Sequence, residues 1–238
     1  TFYKYNTAGT NMLSATLKKK TGKDLIEFLR PRLLDPLGIS EIYCARTPGE
    51  DSVEHGGGGM KLRTEDMAKF TYFLLHRGEW EGKQLLRTSW FDRACVKQIE
   101  TLHDSENHTG DWGMGYGYQC WMSTQAGSFR ADGAYGQFGL VYPALDLIVV
   151  MTTATEQTQT LLTSLAKYLL PAVKEQPLPE SIASTSLKGE LEHLALPMVH
   201  GDRCPHLEKK LDAQVYAAQK ADGKSCCSLE YLIGGAGI

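Results

Sequence analysis

The stretch "DGAYGQFGLVYPALDLIVVMT" (Asp132–Thr152) opens as a glycine-spaced turn, with Ala134 between Gly133 and Tyr135, and closes in an apolar, strand-like run. Tyr142-Pro143-Ala144-Leu145-Asp146 reads as a turn between two such runs, with strand character beginning upstream at Phe129. So short a connection predicts antiparallel pairing. Gly133 and Gly136 suit either a bulge or a place where backbone must pass close to something else. Downstream, Glu156 to Lys174 is expected to form a long amphipathic helix, with Leu161, Leu162, Leu165, Tyr168 and Leu169 covering the sheet.

Upstream of the strands, "DWGMGYGYQCW" (Asp111–Trp121) alternates glycine with large residues, the pattern of an open, glycine-relieved strand. Trp112, Tyr116 and Tyr118 within it are read as packing residues. Helices are expected from Thr10 to Leu29, broken by the turn Thr21-Gly22-Lys23, with Leu13, Leu17, Leu25, Phe28 and Leu29 apolar. Pro31 and Pro36 limit the next segment to a short helical piece ending at Gly38. His55 to Met60, HGGGGM, cannot be helical, because each interior glycine costs about 1 kcal/mol relative to alanine. Thr64-Glu65-Asp66-Met67 caps a helix presenting Met67, Phe70, Phe73 and Leu74 and ending near Gly78. Trp80 to Lys83 is a turn, and Ser89 to Ile99 a further helix. After Pro171 the composition changes: Pro177, Pro179 and the Ser/Thr run from Ser181 to Ser186 read as a linker, followed by a short helix over Leu187 to Leu196.

The 238 residues are 42% hydrophobic and 22% charged, an ordinary globular composition. With 25 basic and 28 acidic residues the formal charge is −3, and no long block of one sign suggests a nucleic-acid or membrane-surface partner. No apolar run approaches the ~18 residues needed to span a bilayer. The six cysteines have no metal-ligand spacing, which argues against a zinc site, and no cofactor is expected. Adjacent Cys226 and Cys227 fit a reduced compartment better than a disulfide framework, a lean towards the cytoplasm. His55, His103 and His108 sit in polar loops as surface residues. The single Ser-x-x-Lys, Ser164 to Lys167, has the spacing of a serine nucleophile and its proton acceptor. It is expected about once by chance in such a composition, and it lies on the helix assigned to cover the sheet.

Taken in order, "YNTAGTNMLSATLKKKTGKDLIEFLRPRLLDPLGI" (Tyr5–Ile39), "GGGGMKLRTEDMAKFTYFLLHRGEWEGKQLL" (Gly56–Leu86), "WGMGYGYQCW" (Trp112–Trp121) and the opening stretch resemble successive segments of the serine beta-lactamase-related family. That family includes class C beta-lactamases, D-aminopeptidases, esterases and 6-aminohexanoate-oligomer hydrolases. The resemblance implies an α/β (α+β) fold, with an antiparallel sheet covered by helices and a mainly helical region carrying Tyr5. It also implies acyl transfer, in which a serine attacks a carbonyl, a lysine and a tyrosine manage its proton, and backbone amides stabilise the oxyanion.

On this resemblance Tyr5 matches the family's Tyr-x-Asn tyrosine, a general base or proton shuttle. Thr7 stands where the asparagine is usual, and a hydroxyl replaces only part of an amide's bonding capacity. Ala131-Asp132-Gly133-Ala134 matches the Lys-Thr-Gly or His-x-Gly box on the strand beside the active site. Ala131 stands where a cation is common, so a grip on a substrate carboxylate is not expected. The pattern A-x-G-x-x-G-Q is closer to the amide-hydrolase and esterase side of the family. Gly133 lines the substrate position, and the Ala134 N–H supplies one oxyanion donor.

In this family the nucleophilic serine and its lysine precede the tyrosine motif, so they are expected in a segment upstream of Thr1. The reading is therefore residues 1–174 as the C-terminal part of a hydrolase domain, with 175–238 a linker and the start of an extension. The substrate is a small ester or amide, and the chain on its own is expected to be inactive. The alternative is a non-catalytic binding or interaction module that keeps the pocket. An exposed sheet edge, available for association, is expected where the family's N-terminal strands would pack.

Overall fold

The structure is a computed structural model that describes residues 2–102 and 110–195. These divide into two units between Gln176 and Pro177.

In the first unit the strand character expected from Phe129 and the two runs expected either side of Tyr142–Asp146 are realised as three strands. With one more they form a four-stranded antiparallel sheet: β5 (Trp121–Met122), β6 (Phe129–Gly133), β7 (Gln137–Tyr142) and β8 (Leu147–Met151), in that spatial order. β7 is central, and its side chains alternate between two cores as the period of two requires. Phe138, Leu140 and Tyr142 face one core with Leu162, while Val141 faces the other with Phe129, Phe73 and Leu74. The turn at Pro143–Leu145 is a 3-10 piece closed by Asp146 in the left-handed region, φ 45°.

Helices α1 (Thr7–Thr21) and α2 (Leu25–Leu29) precede the sheet. The break between them is Gly22, whose left-handed φ of 71° lets its N–H cap α1 through the Lys18 carbonyl. α2 runs on through Pro31 as one wide turn, because proline has no N–H to keep the tighter ladder. Two short hairpins, β1 (Tyr43–Cys44) with β2 (Met60–Lys61) and β3 (Glu79–Trp80) with β4 (Lys83–Gln84), flank α3 (Thr64–Leu75). α3 packs across β7 and β8, and the missing side chain of Gly139 makes this possible: a Cβ there would lie 2.5 Å from the Thr71 hydroxyl of α3.

Several expectations are corrected. Leu13 is 60% exposed and α1 buries only Ser14, so Leu13 is not a core position. α3 has Arg63, not Thr64, at its cap. α4 is Thr88–Ala94 and stops well before Ile99, which instead pairs with Tyr116. Asp111–Trp121 is not one strand: a 3-10 turn at Gly110–Gly113 leads into an irregular run with φ of 110° at Gly115 and 64° at Gln119, and only Trp121 enters β5. The glycines there serve close approach, since a Cβ at Gly117 would lie 2.3 Å from the Ala94 carbonyl oxygen. The helix over the sheet begins at Thr158 (α5, Thr158–Ser164), and Tyr168 and Leu169 are exposed instead of covering the sheet. Ser164 and Lys167 both face solvent, with the Lys167 ammonium over the Tyr168 ring. His103 and His108 lie outside the described residues.

In the second unit the Ser/Thr run is helical, not linker. α6 (Ile182–Glu192) starts at Ser181, whose side chain accepts from the Ser184 N–H while the Ser184 hydroxyl accepts from the Ser181 N–H. This reciprocal box supplies the start signal that composition hides.

Asp24 ties α1 to the β1 region: Lys18 lies 3.0 Å and Arg46 2.8 Å from its carboxylate. Partial burial alone would raise its pKa, but the hydrogen bonds and charges of Lys18 and Arg46 outweigh that and hold it below 3.8. A depressed carboxyl stabilises the folded state above its unfolded value, and that contribution disappears as pH falls through the folded value. For so solvent-accessible a cluster the contribution is at most about 1 kcal/mol. Thermal melts of Asp24→Asn should therefore fall below wild type near neutral pH and converge with it as the pH drops below 3.8. A gap that persists in acid contradicts this.

Candidate functional site

Tyr5 lies immediately before α1, where Asn6 adopts extended backbone and its side-chain oxygen accepts from the Gly9 N–H at 3.1 Å. That cap fixes the angle at which the chain enters the helix. The Tyr5 ring stacks on Trp121 of β5 at 5.7 Å and 25°, and meets Tyr116 edge-on at 6.3 Å. Tyr3 joins the same cluster through both rings. One turn into α1, the Thr10 hydroxyl donates to Gln119 at 3.1 Å. The phenol of Tyr5 is thus held by its ring on the rim of the sheet, with the residue 42% exposed.

The HGGGGM stretch holds the start of α1. A Cβ at Gly56 would be 2.6 Å from the Thr10 carbonyl oxygen, and one at Gly57 would be 2.7 Å from that of Thr7. The Gly57 N–H donates to the Asn11 side chain at 2.8 Å. These glycines are required by backbone contact with the helix. Thr7 is the first residue of α1 and exposed, its backbone bounded by Gly57.

Ala131, Gly133 and Ala134 occur along β6 and the turn after it. Ala131 pairs with Gly139, and Gly133 pairs with Gln137. A Cβ at Gly133 would be 2.9 Å from that of Gln137, so the glycine has a packing reason of its own. The Gly133 carbonyl accepts from the Gly136 N–H at 3.2 Å across the turn. In the trans Gly133–Ala134 peptide the Ala134 N–H points opposite to that carbonyl, away from the turn's interior. Among the described residues it has no acceptor. A backbone donor turned out at the end of a strand can stabilise negative charge on a bound oxygen.

Tyr116 links the surroundings of Tyr5 to those of β6. Burial raises its pKa most, with smaller contributions from Tyr5, Cys120 and Asp132, so its hydroxyl is within electrostatic reach of Tyr5 and Asp132 alike. The packing role expected for Tyr116 and Trp112 is realised, but around a charge with no counterpart among the expected site residues. Arg130 is fully buried beneath Trp112 and Trp121, its guanidinium 5.0 Å and 5.9 Å from the ring centres. Its Nε donates to Asp132 at 2.8 Å and one terminal nitrogen donates to the Met122 carbonyl at 2.6 Å. The other is buried without a hydrogen-bond partner. Burial raises the pKa of Asp132, against the opposing effects of Arg130 and of a hydrogen bond from Trp112. The signal for this pair was Arg-x-Asp within a strand, which places both side chains on one face.

Cys95 and Cys120 belong to one core cluster, and their mutual interaction lowers the pKa of Cys95 and raises that of Cys120. No group of histidine, cysteine or carboxylate side chains among the described residues is arranged to hold a metal ion.

The beta-lactamase family model matches residues 1–174. No curated protein is a significant sequence match. Among solved structures, a Bacillus anthracis protein assigned as a 6-aminohexanoate-dimer hydrolase aligns with a TM-score of 0.61 and 23% identity, covering 75% of this chain and 46% of that one. A Mycobacterium bovis beta-lactamase aligns at 0.52 with 20% identity, covering 71% and 66%. The octameric penicillin-binding protein homologue from Pyrococcus abyssi aligns at 0.55 with 18% identity, covering 79% and 47%. The chain spans about half the length of the first and third of these structures. At these identities the neighbours speak for the fold alone, while the family match over nearly three quarters of the sequence identifies the chain as a member of the beta-lactamase family.

Proposed function

We propose that the chain is part of a serine hydrolase that cleaves an ester or amide through an acyl-enzyme, with the nucleophilic serine and its lysine supplied by a segment upstream of Thr1. The observations that support this best are an exposed Tyr5 anchored by its ring on Trp121 of β5 and an outward Ala134 N–H in the turn that ends the neighbouring strand β6. In this reading the serine oxygen attacks the substrate carbonyl and its proton passes through the lysine and Tyr5 to the leaving group. The Ala134 N–H donates to the oxyanion, and water then releases the acyl group. Thr7, Ala131 and Gly133 border the substrate. With alanine at position 131 no cation meets a substrate carboxylate there, which favours an uncharged acyl group. Residues 1–174 form the hydrolase part, and 175–238 lie outside it.

The complete open reading frame, expressed and treated with a fluorophosphonate probe, is expected to label at an upstream serine in a Ser-x-x-Lys. Labelling should disappear when that serine is changed to alanine. Absence of labelling, or labelling that survives the change, overturns the reading. Thr7 and Ala131 depart from the family pattern, and they motivate a second reading as a binding module without turnover. An upstream coding sequence without Ser-x-x-Lys selects it.

A further inference from the structure

The turn after β6 has an unusual backbone. Tyr135 adopts φ 64° in its centre, a left-handed conformation that a bulky side chain occupies only under constraint. The constraint comes from the strand end opposite. The Thr153 hydroxyl donates to the Tyr135 carbonyl at 2.6 Å and lies 3.1 Å from that of Gly136. The Thr155 N–H donates to the same Tyr135 carbonyl at 3.1 Å. Gln137 closes the other side, its amide nitrogen donating to the Ala134 carbonyl at 2.8 Å and the Thr153 carbonyl at 3.1 Å. Gly136, at φ 89°, has no room for a side chain, because a Cβ would lie 2.2 Å from the Thr153 hydroxyl.

Each of the carbonyls of residues 133, 134, 135 and 136 therefore has a donor close to it. Strain that is over-determined in this way is found where geometry matters to function. Tyr135 is 59% exposed, so core packing does not explain why the conformation is kept.

We propose that Thr153 is a positioning residue for the hydrolytic site: its hydroxyl holds Tyr135 in the left-handed conformation and so fixes the direction of the Ala134 N–H towards the oxyanion. The inference rests on the hydrolase reading above and adds to it a side chain that touches neither substrate nor nucleophile. Loss of the hydroxyl lets the turn relax towards an ordinary conformation and swings the donor off its target, which costs rate and leaves substrate binding largely intact.

The test uses the complete protein with a generic ester. Thr153→Val, which keeps the shape and removes the hydroxyl, is expected to lower kcat about tenfold or more with KM little changed. Thr153→Ser, which restores the hydroxyl, is expected to retain most of the rate. Unfolding midpoints read the clamp independently. Glycine adopts a positive φ without strain, so in a Tyr135→Gly background Thr153→Val should cost less stability than it does alone. Additive stability losses, or a serine variant as slow as the valine variant, overturn the inference. So does a valine variant as fast as wild type when wild type labels with the fluorophosphonate, a result that leaves the hydrolase reading standing. Failure of wild type itself to label overturns both.

Discussion

Asp132→Ala should destabilise the first unit by about 3–5 kcal/mol, the cost of leaving one member of a buried ion pair alone. Arg130 has no route out of this. It is fully buried, and one of its terminal nitrogens already lacks a partner. Removing Asp132 takes away the acceptor 2.8 Å from its Nε, leaving a charge whose remaining contacts are carbonyls, a hydroxyl and two indole faces. Replacing the pair together, as Arg130→Met with Asp132→Leu, should recover most of the loss, because apolar side chains of similar volume carry no desolvation cost. Urea unfolding of the three proteins checks both statements. A single-variant loss below about 1 kcal/mol would mean that the pair is hydrated or replaceable.

Tyr5→Phe in the complete protein should lower kcat about 10²-fold or more, roughly 2.7 kcal/mol of transition-state stabilisation, the usual worth of a positioned acid-base group. The fold should not change, since the contacts that place Tyr5 are made by its ring with Trp121 and Tyr116 and by the Asn6 cap beside it. Circular dichroism and the unfolding midpoint should therefore match wild type while the rate falls. An unchanged rate removes Tyr5 from the mechanism and leaves it as an aromatic anchor for the start of α1.

The sheet was legible because two local signals agreed: apolar runs of strand length, and a Pro143–Asp146 turn too short for anything but antiparallel pairing. Gly22 and Pro31 likewise act through their own backbone chemistry, so the α1–α2 break could be read directly. Asp111–Trp121 was misread because a glycine needed for contact with a distant carbonyl looks, in one dimension, like a glycine that relieves a strand. The Ser181 run failed for a related reason: serines that cap a helix and serines of a linker have the same composition.

The candidate site is proposed only through family resemblance, at Tyr5 and Ala134. Thr153 was not legible, since what it does depends on partners 16 to 18 residues away brought to it by strand register and turn, and Arg130 offered only Arg-x-Asp, its carbonyl partners lying 8 and 19 residues away. The carbonyl orientations that turn the Ala134 N–H outward are likewise a property of the folded turn, with no local sequence signature.

β7 is bonded to a strand on each side and buried on both faces, whereas α1 buries a single serine. On this burial, amide protons of β7 are expected to exchange only when the whole unit opens, and those of α1 at lower free energy through local opening. The turn with Ala134 leads directly into the first of these elements and Tyr5 leads into the second. The two proposed halves of the site thus belong to cooperative units of different opening free energy, so denaturant too dilute to unfold the sheet can already detach the phenol from its rim.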